Sequence, residues 1–101
     1  MELDGFTLRT EWDGRRVWIA VWGELDIATA PQLREELDGK RDAVEIVVDL
    51  SGVTFIDTQG LHAILEAHRA YPSRLRVIPS PAAARLVELA NVEEVLPIIE
   101  G

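Results

Sequence analysis

The sequence predicts an α/β fold of two layers: a mixed four-stranded sheet, built from an N-terminal hairpin and parallel crossover strands, with helices packed mainly on one face. Three observations predict it. Two segments near the N-terminus alternate apolar and polar residues with period two. Farther on, strand, helix and strand patterns follow one another, the order of a parallel crossover. All four strand patterns also keep one polar-leaning face, whereas a sheet covered on both sides shows near-continuous apolar runs.

The first strand is expected over Phe6–Trp12 and the second over Arg16–Trp22, with Asp13-Gly14 between them as the tight turn, since primed turns need the positive φ that Asp and Gly tolerate. That turn would set Phe6 opposite Val21, Leu8 opposite Ile19 and Thr10 opposite Val17 on a core face. Arg9 opposite Trp18 and Glu11 opposite Arg16 would share the other face. Trp18 and Trp22 then point to the wet side, either as a partner surface or with Arg9 stacked on Trp18 and terminal segments over Trp22.

Gly23-Glu24-Leu25-Asp26-Ile27-Ala28 leads to Thr29-Ala30-Pro31-Gln32, where Thr and Gln stand at capping-box spacing and proline is tolerated in the first turn. Ile27, Ala30, Leu33 and Leu37 keep the spacing of an apolar stripe, Arg34, Glu35, Glu36 and Asp38 make a solvated face, and Gly39 suits a C-terminal cap. Val44–Leu50 is the strongest strand pattern. A helix from Thr58 to about Ala70 carries Leu61, Ile64, Leu65 and His68 on one side and ends before Pro72. Leu75–Ile78 is the fourth strand. Ser80-Pro81 opens a last helix carrying Leu86, Val87 and Ala90, and Asn91 breaks it before the short acidic segment Val92–Leu96.

At 101 residues and 48% hydrophobic content, the chain suits one small domain, 1–101, with a core of its own. Its net charge of −8 repels phosphate backbones and anionic lipid, so neither nucleic acid nor membrane is expected as a partner. No apolar run approaches the roughly 20 residues of a membrane span, and Met1-Glu2-Leu3-Asp4 has no features of a secretory signal, so a cytoplasmic location is expected. The absence of cysteine removes disulfides, thiolate metal sites and cysteine nucleophiles.

The most informative stretch is Val48-Asp49-Leu50-Ser51-Gly52-Val53-Thr54-Phe55-Ile56-Asp57-Thr58-Gln59-Gly60-Leu61. It sets a hydroxyl at the mouth of a helix beside a carboxylate and a glycine. Asp57 or Thr58 can act there as an N-cap, worth about 1 kcal/mol. Gly60 either lets a partner backbone approach or serves as a packing glycine. Asp26 can equally bond to nearby backbone N–H groups in a turn.

Gly23-Glu24-Leu25-Asp26, Val48-Asp49-Leu50-Ser51-Gly52-Val53 and Phe55-Ile56-Asp57-Thr58-Gln59-Gly60-Leu61 together resemble the STAS-domain family, and within it the bacterial anti-sigma factor antagonists, also called anti-anti-sigma factors. The resemblance runs over nearly the whole chain. It implies a partner-switching protein whose unmodified form binds an anti-sigma factor with serine/threonine kinase activity, freeing a sigma factor, until phosphorylation ends the binding. The family's phosphoacceptor follows the motif aspartate, which is Thr58 here. Gln59 replaces the second hydroxyl of many members, leaving Thr58 the only hydroxyl in its four-residue motif. The partner surface implied comprises Glu24, Asp26, Asp57, Thr58, Gln59, Gly60, Leu61 and His62, and a phosphatase acting on phospho-Thr58 is a further implied partner. A monomer or weak dimer is expected.

Other chemistry finds little support. His62 and His68 are six residues apart and share no metal-binding face. No Gly-x-x-x-x-Gly-Lys loop is present, so no cofactor, metal or catalytic activity is expected. The alternative function is a constitutive adaptor, a STAS subunit of a larger assembly such as a lipid-transport ATPase complex, with Thr58 contacting a partner without being phosphorylated.

Overall fold

The computed structural model describes residues 2–3 and 5–92. Five strands form one sheet in chain order, β1 (Glu2–Leu3), β2 (Phe6–Asp13), β3 (Arg16–Leu25), β4 (Glu45–Ile56) and β5 (Leu75–Ile78), and three helices, α1 (Ala30–Leu37), α2 (Thr58–Ala70) and α3 (Pro81–Leu89), follow β3, β4 and β5. The sheet is mixed. β1, β2 and β3 pair antiparallel, while β3, β4 and β5 run parallel. The two-residue β1 at the edge is an addition to the four strands expected, too short to leave a periodic signal.

The hairpin register differs from expectation by two residues. Asp13 pairs with Arg16, Leu8 with Val21 and Phe6 with Gly23, so the turn is Gly14-Arg15. Gly14 takes φ +63° whereas Arg15 does not enter the left-handed region, the pattern of a II′ turn with glycine first. A shift of two preserves the faces. Phe6, Val17, Ile19 and Val21 are buried, and Trp18 and Trp22 remain 44% and 43% exposed on the other side.

On that outer face the expected Arg9–Trp18 stack is absent. Arg9 instead pairs with Ala20 across the strands and its guanidinium meets Glu11 at 3.0 Å. The Trp18 indole N–H donates to Asp49 at 3.3 Å, and the pyrrole ring of Trp22 rests over its parallel partner Gly52, where a Cβ would stand 2.1 Å from Trp22 Cδ1.

β4 continues six residues past the expected end at Leu50. Between the pairs Ala20–Asp49 and Trp22–Gly52, and again between Gly23–Val53 and Glu24–Phe55, β4 carries one residue more than β3. These bulges interrupt the strict alternation on which a sequence pattern depends. At the other end, Val44 lies just before the strand and is 49% exposed instead of facing the core.

The core lies between the inner face of the sheet and the helices. Ile46, Val48, Leu50, Leu75 and Val77 meet Leu33 and Leu37 of α1 and Leu61 and Ile64 of α2 in one buried cluster, which Ala83 and Val87 of α3 join. Leu65 and His68 sit at its margin, half-buried. α1 and α2 are also tied at their C-terminal ends: the buried Tyr71 hydroxyl donates to Leu37 O at 2.7 Å and accepts from Lys40 N at 3.2 Å. Ser80 caps α3 through Ala83 N, and Asn91 stops the chain in the left-handed region at φ +61°. The acidic segment that follows lies, except for Val92, outside the described residues.

Candidate functional site

Two parallel strands bring the motifs together. Glu24 pairs with Phe55 and Leu25 with Ile56, and the Asp57 N–H donates to Leu25 O at 3.2 Å. The turn leaving β3 and the turn leaving β4 therefore stand side by side at the C-terminal ends of the strands. Open α/β sheets offer their binding crevices at such ends.

Asp57 is the N-cap of α2. Its backbone is extended, at φ −112° and ψ −174°, and Oδ1 accepts from Gln59 N at 2.9 Å and Gly60 N at 3.1 Å, while its carbonyl accepts from Leu61 N at 3.0 Å. Two of the otherwise orphaned N–H groups are thus already satisfied by a carboxylate, which also sits favourably against the helix dipole. Thr58, the first helical residue, is left out of the cap. It is exposed, and its hydroxyl has no hydrogen-bond partner among the described residues.

The remaining motif positions divide by depth. Gln59 is half-buried and His62 exposed. Gly60 and Leu61 are buried, Leu61 at 4% exposure. Gly60 presses on the end of β3, where a Cβ would stand 2.7 Å from Leu25 O, 2.8 Å from Leu25 Cγ and 3.0 Å from Ile56 Cγ1. Of its two expected roles, packing is the one the structure displays. Neither residue presents itself to a docking protein in this conformation.

The turn after β3 is closed by its own hydrogen bonds. Asp26 Oδ1 accepts from Ala28 N at 2.9 Å and Thr29 N at 3.1 Å, the turn role open to it from sequence. The buried Thr29 hydroxyl accepts from Asp26 N at 2.9 Å and donates to Glu24 O at 2.8 Å. That corrects the expected capping box: Thr29 has helical φ and ψ, and its side chain caps no helical N–H because the turn has claimed it. Ile27, expected on the buried stripe of α1, stands outside the helix at 70% exposure.

The two turns that meet at Thr58 carry carboxylates and neither lysine nor arginine. Residues 23–30 and 54–62 contain Glu24, Asp26 and Asp57 and no Lys or Arg. Beside them, an open groove of about 400 Å³ runs between Thr54, Phe55 and Ile56 of β4 and Pro81, Arg85 and Leu89 of α3, with Phe55 itself 50% exposed. Sequence reasoning assigned no role of its own to Phe55 and placed Ile27 on the buried stripe of α1. Ile27 keeps helical spacing with Ala30, but α1 begins only at Ala30, so that spacing does not bury it.

Among the described residues, no three His, Asp or Glu side chains gather in a way that could hold a metal ion, and no helix is long and apolar enough to cross a membrane. His68 is only half-buried, although its Nδ1 is enclosed without a hydrogen-bond partner.

The chain resembles known proteins along most of its length. The family model described as Mlab, STAS domain matches residues 8–99. An anti-sigma-B factor antagonist of Staphylococcus aureus is 33% identical over 92 residues, covering 82% of each chain. The crystal structure of an anti-sigma factor antagonist from Mycobacterium paratuberculosis superposes with a TM-score of 0.87 at 24% identity, over 97% of this chain and 88% of that one. SpoIIAA superposes in its unphosphorylated form (TM-score 0.76, 94% and 88% of the two chains) and, as the Bacillus cell fate determinant, in its phosphorylated form (0.70, 94% and 91%), each at 19% identity. At those identities the structural likenesses establish the fold.

Proposed function

Since the chain belongs to the STAS-domain family, we propose that it is an anti-sigma factor antagonist whose unphosphorylated form binds an anti-sigma factor that is also a serine/threonine kinase, and whose phosphorylation on Thr58 ends that binding. The observation that carries this is the exposed, unengaged Thr58 hydroxyl on a helix mouth that Asp57 already caps. In the transfer, Thr58 Oγ1 attacks the γ-phosphorus of ATP held by the partner, ADP departs, and the hydroxyl proton passes to the partner or to water. This chain supplies the acceptor and no catalytic group. Glu24, Asp26, Gln59 and His62, with Asp57 and Thr58, make the accessible part of the partner surface, and Gly60 and Leu61 support it from beneath.

The charge arrangement supplies the release step. A phosphate on Thr58 adds about −1.5 to −2 charges next to the Asp57 carboxylate. The N–H groups of Gln59 and Gly60, the natural anion donors of a helix mouth, are occupied by Asp57, and residues 23–30 and 54–62 contain no Lys or Arg. In the free protein, water solvates the dianion. Under a docked partner that water is lost without compensation, so the complex separates while the helix stays formed. A phosphatase acting on phospho-Thr58 resets the switch.

Incubation with the kinase-type anti-sigma factor of the same genome and ATP, followed by intact mass, tests the assignment. Native protein should gain one phosphate and Thr58→Ala none. A native protein that binds the partner yet gains no mass would instead support a constitutive adaptor.

A further inference from the structure

We propose that Ile27 is the apolar anchor by which this chain grips its anti-sigma partner, and that the pocket receiving it is apolar and rimmed by Lys or Arg side chains. The inference rests on the function proposed above and adds the residue that sets partner choice.

A single exposed aliphatic residue is ordinary on a protein surface. Ile27 differs in how it is held. Leu25, two residues earlier, takes the inward position at the end of β3 and is fully buried. The next inward residues are Thr29 and Ala30, and Asp26 holds Ala28 N and Thr29 N on its carboxylate. The turn therefore closes without using the Ile27 side chain. Four hydrogen bonds of 2.8–3.1 Å among Glu24, Asp26, Ala28 and Thr29 fix the backbone on both sides of it, so little backbone freedom remains to be lost on binding. A rigidly presented apolar side chain that the fold leaves 70% exposed is built as a knob.

Place and charge define what receives it. The turn is bonded to the switch through Leu25 O and Asp57 N, so a protein covering Thr58 lies within reach of Ile27. Glu24 and Asp26 shortly precede Ile27 in sequence, Asp57 lies on the adjoining turn, and neither turn contains Lys or Arg. The complementary surface is an apolar pocket edged with cations, which also steers association.

The test measures binding of native protein, Ile27→Ala, Val44→Ala and Thr58→Asp to the purified anti-sigma factor of the same genome. Val44 is the control, an exposed aliphatic residue at the far end of β4 from the switch. Ile27→Ala should weaken binding about tenfold or more with an unchanged melting temperature, and Val44→Ala should bind as the native protein does. Native-like binding of Ile27→Ala, with Thr58→Asp released, would overturn the anchor and leave the switch standing. No binding by the native protein would overturn the function and the anchor with it. An affinity insensitive to added salt would overturn the cationic rim.

Discussion

Gly60 is separated from Leu25 by less than the space of a methyl group: a Cβ on the helix residue would meet the Leu25 carbonyl oxygen at 2.7 Å. Alanine is intrinsically better than glycine in a helix by about 1 kcal/mol. Here the obstructing atom belongs to the backbone at the end of a central strand and cannot swing aside. Overpacking of this kind costs about 1–3 kcal/mol and outweighs the propensity gain or cancels it. Gly60→Ala should therefore fail to stabilise the protein, with a net loss of up to about 2 kcal/mol in urea titration. A rise in the urea midpoint would show that α2 can move off β3.

Asp57 combines a cap with a charge, and two substitutions separate them. Asp57→Ala removes the acceptor of two backbone N–H groups and should cost about 1–2 kcal/mol of stability. Asn caps as well as Asp, so Asp57→Asn should retain most of that stability while removing a negative charge beside Thr58. Urea denaturation of both variants checks this. Equal losses for Ala and Asn would mean that charge, not capping, is what Asp57 contributes.

Thr58→Asp places a permanent carboxylate at an exposed position that makes no side-chain contact required by the fold. Circular dichroism and melting temperature should match the native protein, and affinity for the anti-sigma factor should fall by about tenfold, a cost of about 1.4 kcal/mol. Unchanged affinity in a direct titration would place Thr58 outside the interface.

Far from the switch, Tyr71 links the ends of α1 and α2. Leu37 closes α1, so its carbonyl is one of those a helix leaves without an internal partner, and the Tyr71 hydroxyl satisfies it. Tyr71→Phe keeps the ring and strands both Leu37 O and Lys40 N, for a loss of about 1–3 kcal/mol. Partner binding at the opposite ends of these helices should not change. Calorimetry and titration report the two effects separately.

What could be read from the chain in advance followed how local its cause was. α2 has the bounds expected for it because Asp57 and Pro72 punctuate it and every turn between them repeats the same face. The hairpin faces came through while its register did not: the choice between Asp13-Gly14 and Gly14-Arg15 depends on which residue takes positive φ, and both alternatives keep the same alternation. β4 outran its pattern because two bulges are set by pairing with β3, a neighbour remote in sequence. Thr29 was misread for the same reason. Its hydroxyl had a local use as a cap and a competing use in the turn back to Glu24, and only the folded chain shows which prevails. At the site, Asp57 and Thr58 were legible as types and positions, whereas the depth of Gly60 and Leu61 and the exposure of Ile27 and Phe55 depend on how two strand ends meet.

The turn closed by Asp26 and Thr29 separates what holds its shape from what it displays. Its geometry is maintained by the side chains at both ends of the turn, and positions 27 and 28 contribute only main chain to it. Those two positions can therefore be rewritten without retuning the helix mouth next door. On the function proposed here, chains of this family could differ at those two positions, and so in the partner they fit, with the Asp57 cap and the exposed Thr58 hydroxyl unchanged.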